Sequence, residues 1–482
     1  MKENGRILLF IPNTRWYGKR PWFIIPHSAL ILTSILKGEF DYHILDANAQ
    51  NLDERECSEK IKALNPALFL VSGVSVEYFE QYHKAFELAK GACPGCTTVF
   101  GGIYPTIMGW EAMEDANIDF VFLGYAEGRA VPFLACLLKR DIEQIREMEG
   151  VGYRDRGEVT INPMAKFLYE LDTQERAVKP DYSFLNVDFY LDQAGKEYNY
   201  SFPGKTAILL TSYGCKYNCV FCATRTLRGK GIVFRPMEDV LEEIEWLMAH
   251  HGVQHLSFLD ECFLADRKRT EAIMTTIIQR NLNLTWKMPN VSAWHLDGAL
   301  LELMKASGCT MICVSVESGS DRVLHEVIHK PLRLEMFAPI IKKCHELGID
   351  IAANFVIGLP GETWDEIRQT FAFADESGFD LCSFHIATPY PKTALYATAK
   401  KNGYLPNDFD FRNPKFFGTS QGFITTEEFT PFELMVLRAF EWDRINFKNN
   451  AKTVKIARMM NMTEDQLDVH RKQTRKKLGV HH

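Results

Sequence analysis

Three cysteines spaced as CxxxCxxC, Cys215, Cys219 and Cys222, stand in the segment GCKYNCVFCATR directly after the apolar run AILLTSY. Thiolates are soft ligands that select zinc or iron–sulfur clusters over hard cations. A structural zinc ion takes four ligands, and no further Cys or His follows at the usual spacing. Three thiolates suit a four-iron cluster with one iron left open for a bound reactant. A zinc knuckle is the alternative. Carboxylates and glycines punctuate the later apolar runs: Asp260 and Glu261 end LSFLDE, Ser315, Glu317 and Gly319 end MICVSVESG, and Gly358 and Gly361 lie in FVIGLPGET. Each reads either as chemistry at a strand end or as the capping and turn residues of an ordinary strand-to-helix junction.

The elements that must position these residues follow from the apolar rhythm. AILLTSYGC, HLSFLDE, LTWKMPN, MICVSVE, DIAANFVIG and DLCSFHIATP read as six strands separated by helical stretches, which predicts a partial (β/α)6 barrel over 205–400 with its chemistry at the carboxyl ends of the strands. Over 1–145 the runs GRILLFIP, DYHILDA, PALFLVSGVS, TTVFGG and DFVFLG alternate with helical patterns at 53–64 and 77–90. Near-continuous apolar strands of this kind belong to a parallel sheet covered on both faces, so a doubly wound α/β, Rossmann-like domain is expected there. Residues 146–204, rich in turn signals, read as a linker with one small hairpin, and 401–482 as a mostly helical C-terminal region in which Thr463 and Gln466 form a capping box.

The cysteine motif, with Phe221 just before the last cysteine, resembles that of the radical S-adenosylmethionine (SAM) superfamily over about 205–400. The resemblance implies a 4Fe-4S cluster on Cys215, Cys219 and Cys222. Its open iron would chelate the amino and carboxylate groups of SAM, which one electron cleaves to methionine and a 5′-deoxyadenosyl radical. It also implies that Asp260 or Glu261 meets the ammonium group of SAM, although the superfamily more often has Gly-Gly-Glu here. Ser315 and Glu317 would contact its ribose and methionine ends, and Gly358 and Gly361 would line the adenine pocket.

In the N-terminal domain VFGGIYPT ends one strand with Gly101, Gly102 and Thr106, and VFLGYAEG ends the next with Gly124 and Glu127. GGxxPT followed by GxxEG resembles the cobalamin-binding domain that precedes the radical barrel in one branch of the superfamily, with Tyr104 where that branch usually has His. No GxGxxG supports a dinucleotide, and the cobalamin signature Asp-x-His-x-x-Gly is missing. Asp41-Tyr42-His43 is its nearest match, but it has Asp46 in place of glycine, so His43 reads as a structural histidine. Cys93 and Cys96 precede a strand, unlike a redox CxxC that opens a helix, and read as structural.

A formal charge of −7 in 482 residues, with a basic run only in HRKQTRKKLGVHH, gives no electrostatic footprint for nucleic acid. The longest apolar stretch, Trp22 to Leu36, contains Pro26 and His27 and is too short to span a bilayer, and the start does not read as a signal peptide. Without one, the remaining cysteines read mostly as small core hydrophobes in a reducing cytoplasm. Together the resemblances imply a cobalamin-dependent methyltransferase acting on an unactivated carbon or phosphorus of a small molecule, with flavodoxin or ferredoxin as electron donor. Ring closure or carbon-skeleton rearrangement, methylthio transfer, and a non-catalytic cobalamin or cluster sensor are the alternatives.

Overall fold

A computed structural model describes residues 6–171, 178–183, 185–197, 202–413 and 421–476. The chain divides into two compact units, Met1–Tyr190 with Thr226–Val233, and Leu191–Arg225 with Phe234–His482.

The first unit holds a seven-stranded sheet of β1 (Ile7–Ile11), β2 (Tyr42–Asp46), β3 (Leu68–Gly73), β4 (Thr97–Gly102), β5 (Phe120–Phe122), β6 (Val151–Asp155) and β7 (Glu158–Ile161), ordered β2-β1-β3-β4-β5-β6-β7. The strands β1 to β5 run parallel, and both faces are covered because their residues are apolar on both faces. Ile7, Leu9, Leu68 and Leu70 pack with Ala29, Leu36, Phe133 and Leu137 of two helices. On the opposite face Phe10 packs on Phe69, and Phe69 and Phe100 meet Phe86 and Tyr82 of the helix Phe79–Ala92. Asp53 caps the helix Glu54–Leu64 through a complete capping box.

The hairpin read within 146–204 is β6–β7, and it continues the sheet rather than standing apart, since β6 pairs antiparallel with β5. Arg156 and Gly157, with φ of 50° and 91°, make the tight turn that such a hairpin favours.

The second unit holds six parallel strands in sequential order: β8 (Thr206–Leu209), β9 (His255–Phe258), β10 (Thr285–Val291), β11 (Cys309–Glu317), β12 (Asp350–Ile357) and β13 (Leu381–Ile386). These are the six runs expected from the sequence. No seventh strand pairs with β13 among the described residues. The helix Pro431–Asn446 lies along that edge instead. Asn446 Oδ1 accepts from Cys382 N–H (2.8 Å), Asn446 Nδ2 donates to Cys382 O (2.8 Å), and Arg438 Nε donates to Phe384 O (2.6 Å). Side chains thus satisfy backbone groups that a further strand would have paired.

Helices Asn450–Met459 and Glu464–Lys476 pack Ile456, Met459 and Leu467 against Met311, Cys313, Ala352 and Leu381. The Thr463–Gln466 capping box is present in both directions. The basic end beyond 476 lies outside the described residues. Among the described residues no helix is long and apolar enough to cross a membrane.

Candidate active site

The cysteine loop leaves the carboxyl end of β8 through Gly214, whose φ of 95° turns the chain. Its middle is pinned twice: Val220 N–H donates to Ile328 O (3.2 Å), and Leu395 N–H donates to Val220 O (2.9 Å). Cys215, Cys219 and Cys222 are all partly exposed on this loop. Among the described residues no three His, Cys, Asp or Glu close around one point as ligands of a single ion would. A cubane instead takes each thiolate on a separate iron, so three thiols on one loop are a donor set whose chemistry suits a four-iron cluster. Burial pushes Cys219 up to about 12 and Cys222 upward, so both stay protonated until a metal takes their protons' place.

A fourth thiol stands beside them, which the cysteine spacing did not reveal. Cys262 Sγ lies 3.9 Å from Cys215 Sγ, and Cys262 is only 3% exposed. This contact holds Cys215 down at about 7, and the same contact, with burial, pushes Cys262 upward. Cys262 follows Asp260 and Glu261, two carboxylates with different surroundings. Asp260 is wholly buried and accepts from Thr211 N–H (3.1 Å), Thr211 Oγ1 (2.8 Å) and Ser212 Oγ (2.6 Å). It ties the ends of β8 and β9 together. Glu261 is partly exposed, and one oxygen accepts from Gly214 N–H (3.2 Å), next to Cys215.

At the end of β11, Glu317 has a φ of 72° where the register with β12 shifts. Its carboxylate meets Lys330 Nζ at 2.7 Å, a pair with side chains only 10% and 5% exposed. Lys330 also donates to Ser315 O (2.7 Å) and lies over the Trp294 ring at 5.6 Å. Positive φ in a non-glycine residue at a strand end is strain that the buried pair holds in place. Gly319 has no room for a side chain against Gln369 O and Thr370 Cα, both 2.7 Å from a Cβ placed there.

After β12, Gly358 has a φ of 84°, and a Cβ there would lie 2.5 Å from Leu434 Cδ1. Glu362, which the sequence did not mark out, organises this turn by accepting from Gly358 N–H (2.7 Å) and Leu359 N–H (3.1 Å). Burial pushes its carboxyl up to about 8. Gly361, at a φ of 90°, is open, with Val327 Cγ2 its nearest neighbour at 3.9 Å.

In the first unit, the order β2-β1-β3-β4-β5 reverses direction between β1 and β3, where an open α/β sheet forms its ligand crevice. A cleft opens at that point, lined by Ile11, Pro12, Trp22, Ser72, Val74 and Tyr190 among others. No histidine lines it among the described residues. His43 is exposed on the edge strand β2 rather than held inward. Asp46, at the end of β2, accepts from Tyr190 OH at 2.9 Å.

Gly102, with a φ of 92°, lies so close to β3 that a Cβ would sit 2.6 Å from Gly73 O, whereas Gly101 has only Phe122 O at 3.6 Å. Thr106 Oγ1 donates to Gly102 O (2.6 Å) and accepts from Gly124 N–H (2.9 Å), stitching the two glycine loops together. Glu127 is buried, accepts from Ala126 N–H (3.0 Å), and is shifted upward by that burial. Tyr104 points into the core between Tyr82 and Phe100, with its OH 3.2 Å from His83 Nε2.

Comparison with known proteins agrees with both halves. The radical SAM superfamily family matches residues 209–374, and the B12 binding domain family matches residues 21–133. The chain is similar to the cytidylyl-2-hydroxyethylphosphonate methyltransferase of Streptomyces wedmorensis, 26% identical over 78% of this chain and 75% of that protein. It is also similar to an uncharacterized methyltransferase of Pyrococcus horikoshii, 28% identical over 83% of this chain and 84% of the other. The solved structure of the radical SAM methyltransferase TsrM from Kitasatospora setae shares the fold, with a TM-score of 0.67 at 17% identity over 86% of this chain and 80% of that one. With a B12 binding domain ahead of a six-stranded radical SAM domain, the chain belongs to the cobalamin-binding branch of the radical SAM enzymes.

Proposed function

We propose that this enzyme is a cobalamin-dependent radical SAM methyltransferase whose acceptor is an unactivated carbon or phosphorus of a small molecule. The observation that carries the reading is the pairing of two sites on one chain: three thiols on the loop after β8, and a cleft at the switch point of a B12 binding domain. When bound, the cluster and SAM supply the radical chemistry, and the corrinoid supplies the carrier for the methyl group.

The chain's own residues bind and orient. Cys215, Cys219 and Cys222 hold the cluster. Asp260 is committed to Thr211 and Ser212, so Glu261 is the carboxylate that meets the ammonium group of SAM. The Glu317–Lys330 pair fixes the end of β11, which would contact the ribose and methionine ends of SAM, and the Gly358–Gly361 turn, braced by Glu362, would line the adenine pocket. In the first unit Thr106 holds the Gly101–Gly102 and Gly124 loops together, and these loops would lie against the corrinoid. Cys93 donates to Ile61 O and Cys96 to Ala89 O inside the core, which argues against a second cluster and so against methylthio transfer. Flavodoxin or ferredoxin fits as the electron donor, the cytoplasm as the compartment, and the net negative charge disfavours a nucleic-acid substrate.

The test supplies the reconstituted enzyme with SAM carrying a trideuterated methyl group, a reductant and a small-molecule extract, and follows new products by mass spectrometry. A product gaining one labelled methyl supports the reading. A product lighter by two hydrogens and free of label would replace it with ring closure.

A further inference from the structure

The cysteine loop and the end of β9 are locked together before any cluster arrives. Leu259 N–H donates to Leu209 O (2.9 Å), Asp260 gathers Thr211 and Ser212, and Glu261 receives Gly214 N–H. Cys262 comes next in the chain, and its carbonyl accepts from Ala265 N–H (3.1 Å) as a short helical turn begins. Its thiol therefore has little freedom: it is buried, and its sulfur rests 3.9 Å from that of Cys215.

A cubane with one iron left open for a bound reactant takes three thiolates, and the loop after β8 supplies three. Cys215 shares its loop with Cys219 and Cys222, so it is the one that ligates, and Cys262 is left within reach of a sulfur that carries negative charge. A thiol is a weak donor, and a metal-bound thiolate is a better acceptor than a neutral one. Hydrogen bonds to cluster sulfurs are among the factors that set reduction potential. We propose that Cys262 is a positioning residue for the cluster, its S–H donating to Cys215 Sγ and raising the potential at which the cluster accepts its electron. The donor withdraws charge from the ligating sulfur, so the extra negative charge of the reduced cluster is better tolerated. No bond is made or broken and no proton leaves Cys262.

The inference rests on Cys215, Cys219 and Cys222 being the cluster ligands, and its test separates the two. Wild-type protein, Cys262→Ala and Cys262→Ser are reconstituted anaerobically and compared without SAM. Iron and sulfide content, the electron paramagnetic resonance spectrum of the reduced cluster and the midpoint potential from dye-mediated titration are measured. Cys262→Ala should retain the iron and sulfide of the wild type, show an altered spectrum and titrate at a more negative potential. Cys262→Ser, which keeps a donor, should stay closer to the wild type than Cys262→Ala does. An unchanged potential in both variants would reduce Cys262 to packing. Loss of iron in both would make Cys262 a ligand and overturn the proposal. Failure of the wild-type protein to take up iron and sulfide would instead refute the ligand assignment itself.

Discussion

Replacing Lys287 by Met should stabilise the second unit, and by an amount that depends on pH. Lys287 lies on β10 with 3% exposure, and its Nζ has no hydrogen-bond partner among the described residues. Its neighbours are the Phe202 ring, 5.0 Å away, and the equally buried Ser257 at the same register of β9. Burial alone pushes the amine from 10.5 down to about 7. That drop corresponds to a penalty on the ammonium form of at most about 5 kcal/mol.

Between pH 7 and 10.5 the unfolded chain holds a proton at this site that the folded chain lacks, so the wild type gains stability as pH rises through the window. Lys287→Met removes both the penalty and the slope, and Met roughly conserves volume. The variant should therefore be more stable by several kcal/mol near pH 6.5, with the gain shrinking steadily toward about pH 10. Thermal unfolding of the reconstituted protein, followed by tryptophan fluorescence across that range, measures it. A gain that does not change with pH, or a variant less stable throughout, would refute the reasoning by showing that the amine has a partner in solution.

Three further outcomes follow from the sites. Asp260→Ala should lower the thermal midpoint, since it strands three buried donors, while Glu261→Ala should leave the midpoint unchanged and weaken SAM binding about tenfold or more, measured by calorimetry. Glu317→Gln should cost about 3 kcal/mol in urea unfolding by leaving Lys330 charged and unpaired, and adding Lys330→Met should recover much of it; equal losses in both would mean the pair is not coupled. Cobalamin bound in its cobalt(II) form should show cobalt lines unsplit by an axial nitrogen, in the wild type and in His43→Ala alike, and triplet splitting would contradict the reading of the cleft.

Local signals carried much of the fold. Each of the six strands of the second sheet is an apolar run ending in turn residues, and Asp53 and Thr463 mark their helix starts through residues only three positions away. What the sequence hid depends on contacts between distant segments. The expected barrel brings the ends of β8 and β9 together, but no local signal near Cys262 aims its thiol at Cys215, so that contact became visible only in the structure. The choice between Asp260 and Glu261 likewise turns on Thr211 and Ser212, which follow β8 and lie some fifty residues earlier in the chain. Asn446 reads as an ordinary polar helix residue until it is placed against the open edge at Cys382. Alternation alone did not reveal that the β6–β7 hairpin extends the first sheet, because an isolated hairpin and an edge hairpin share one pattern.

The central claim is that Cys215, Cys219 and Cys222 hold a cluster that cleaves SAM. The most direct measurement is 5′-deoxyadenosine formation by anaerobically reconstituted and reduced protein, compared with Cys219→Ala. The wild type should take up one four-iron cluster and form 5′-deoxyadenosine, and the variant should lose both, since two motif thiolates are too few to hold it. Full cleavage activity in Cys219→Ala would contradict the account.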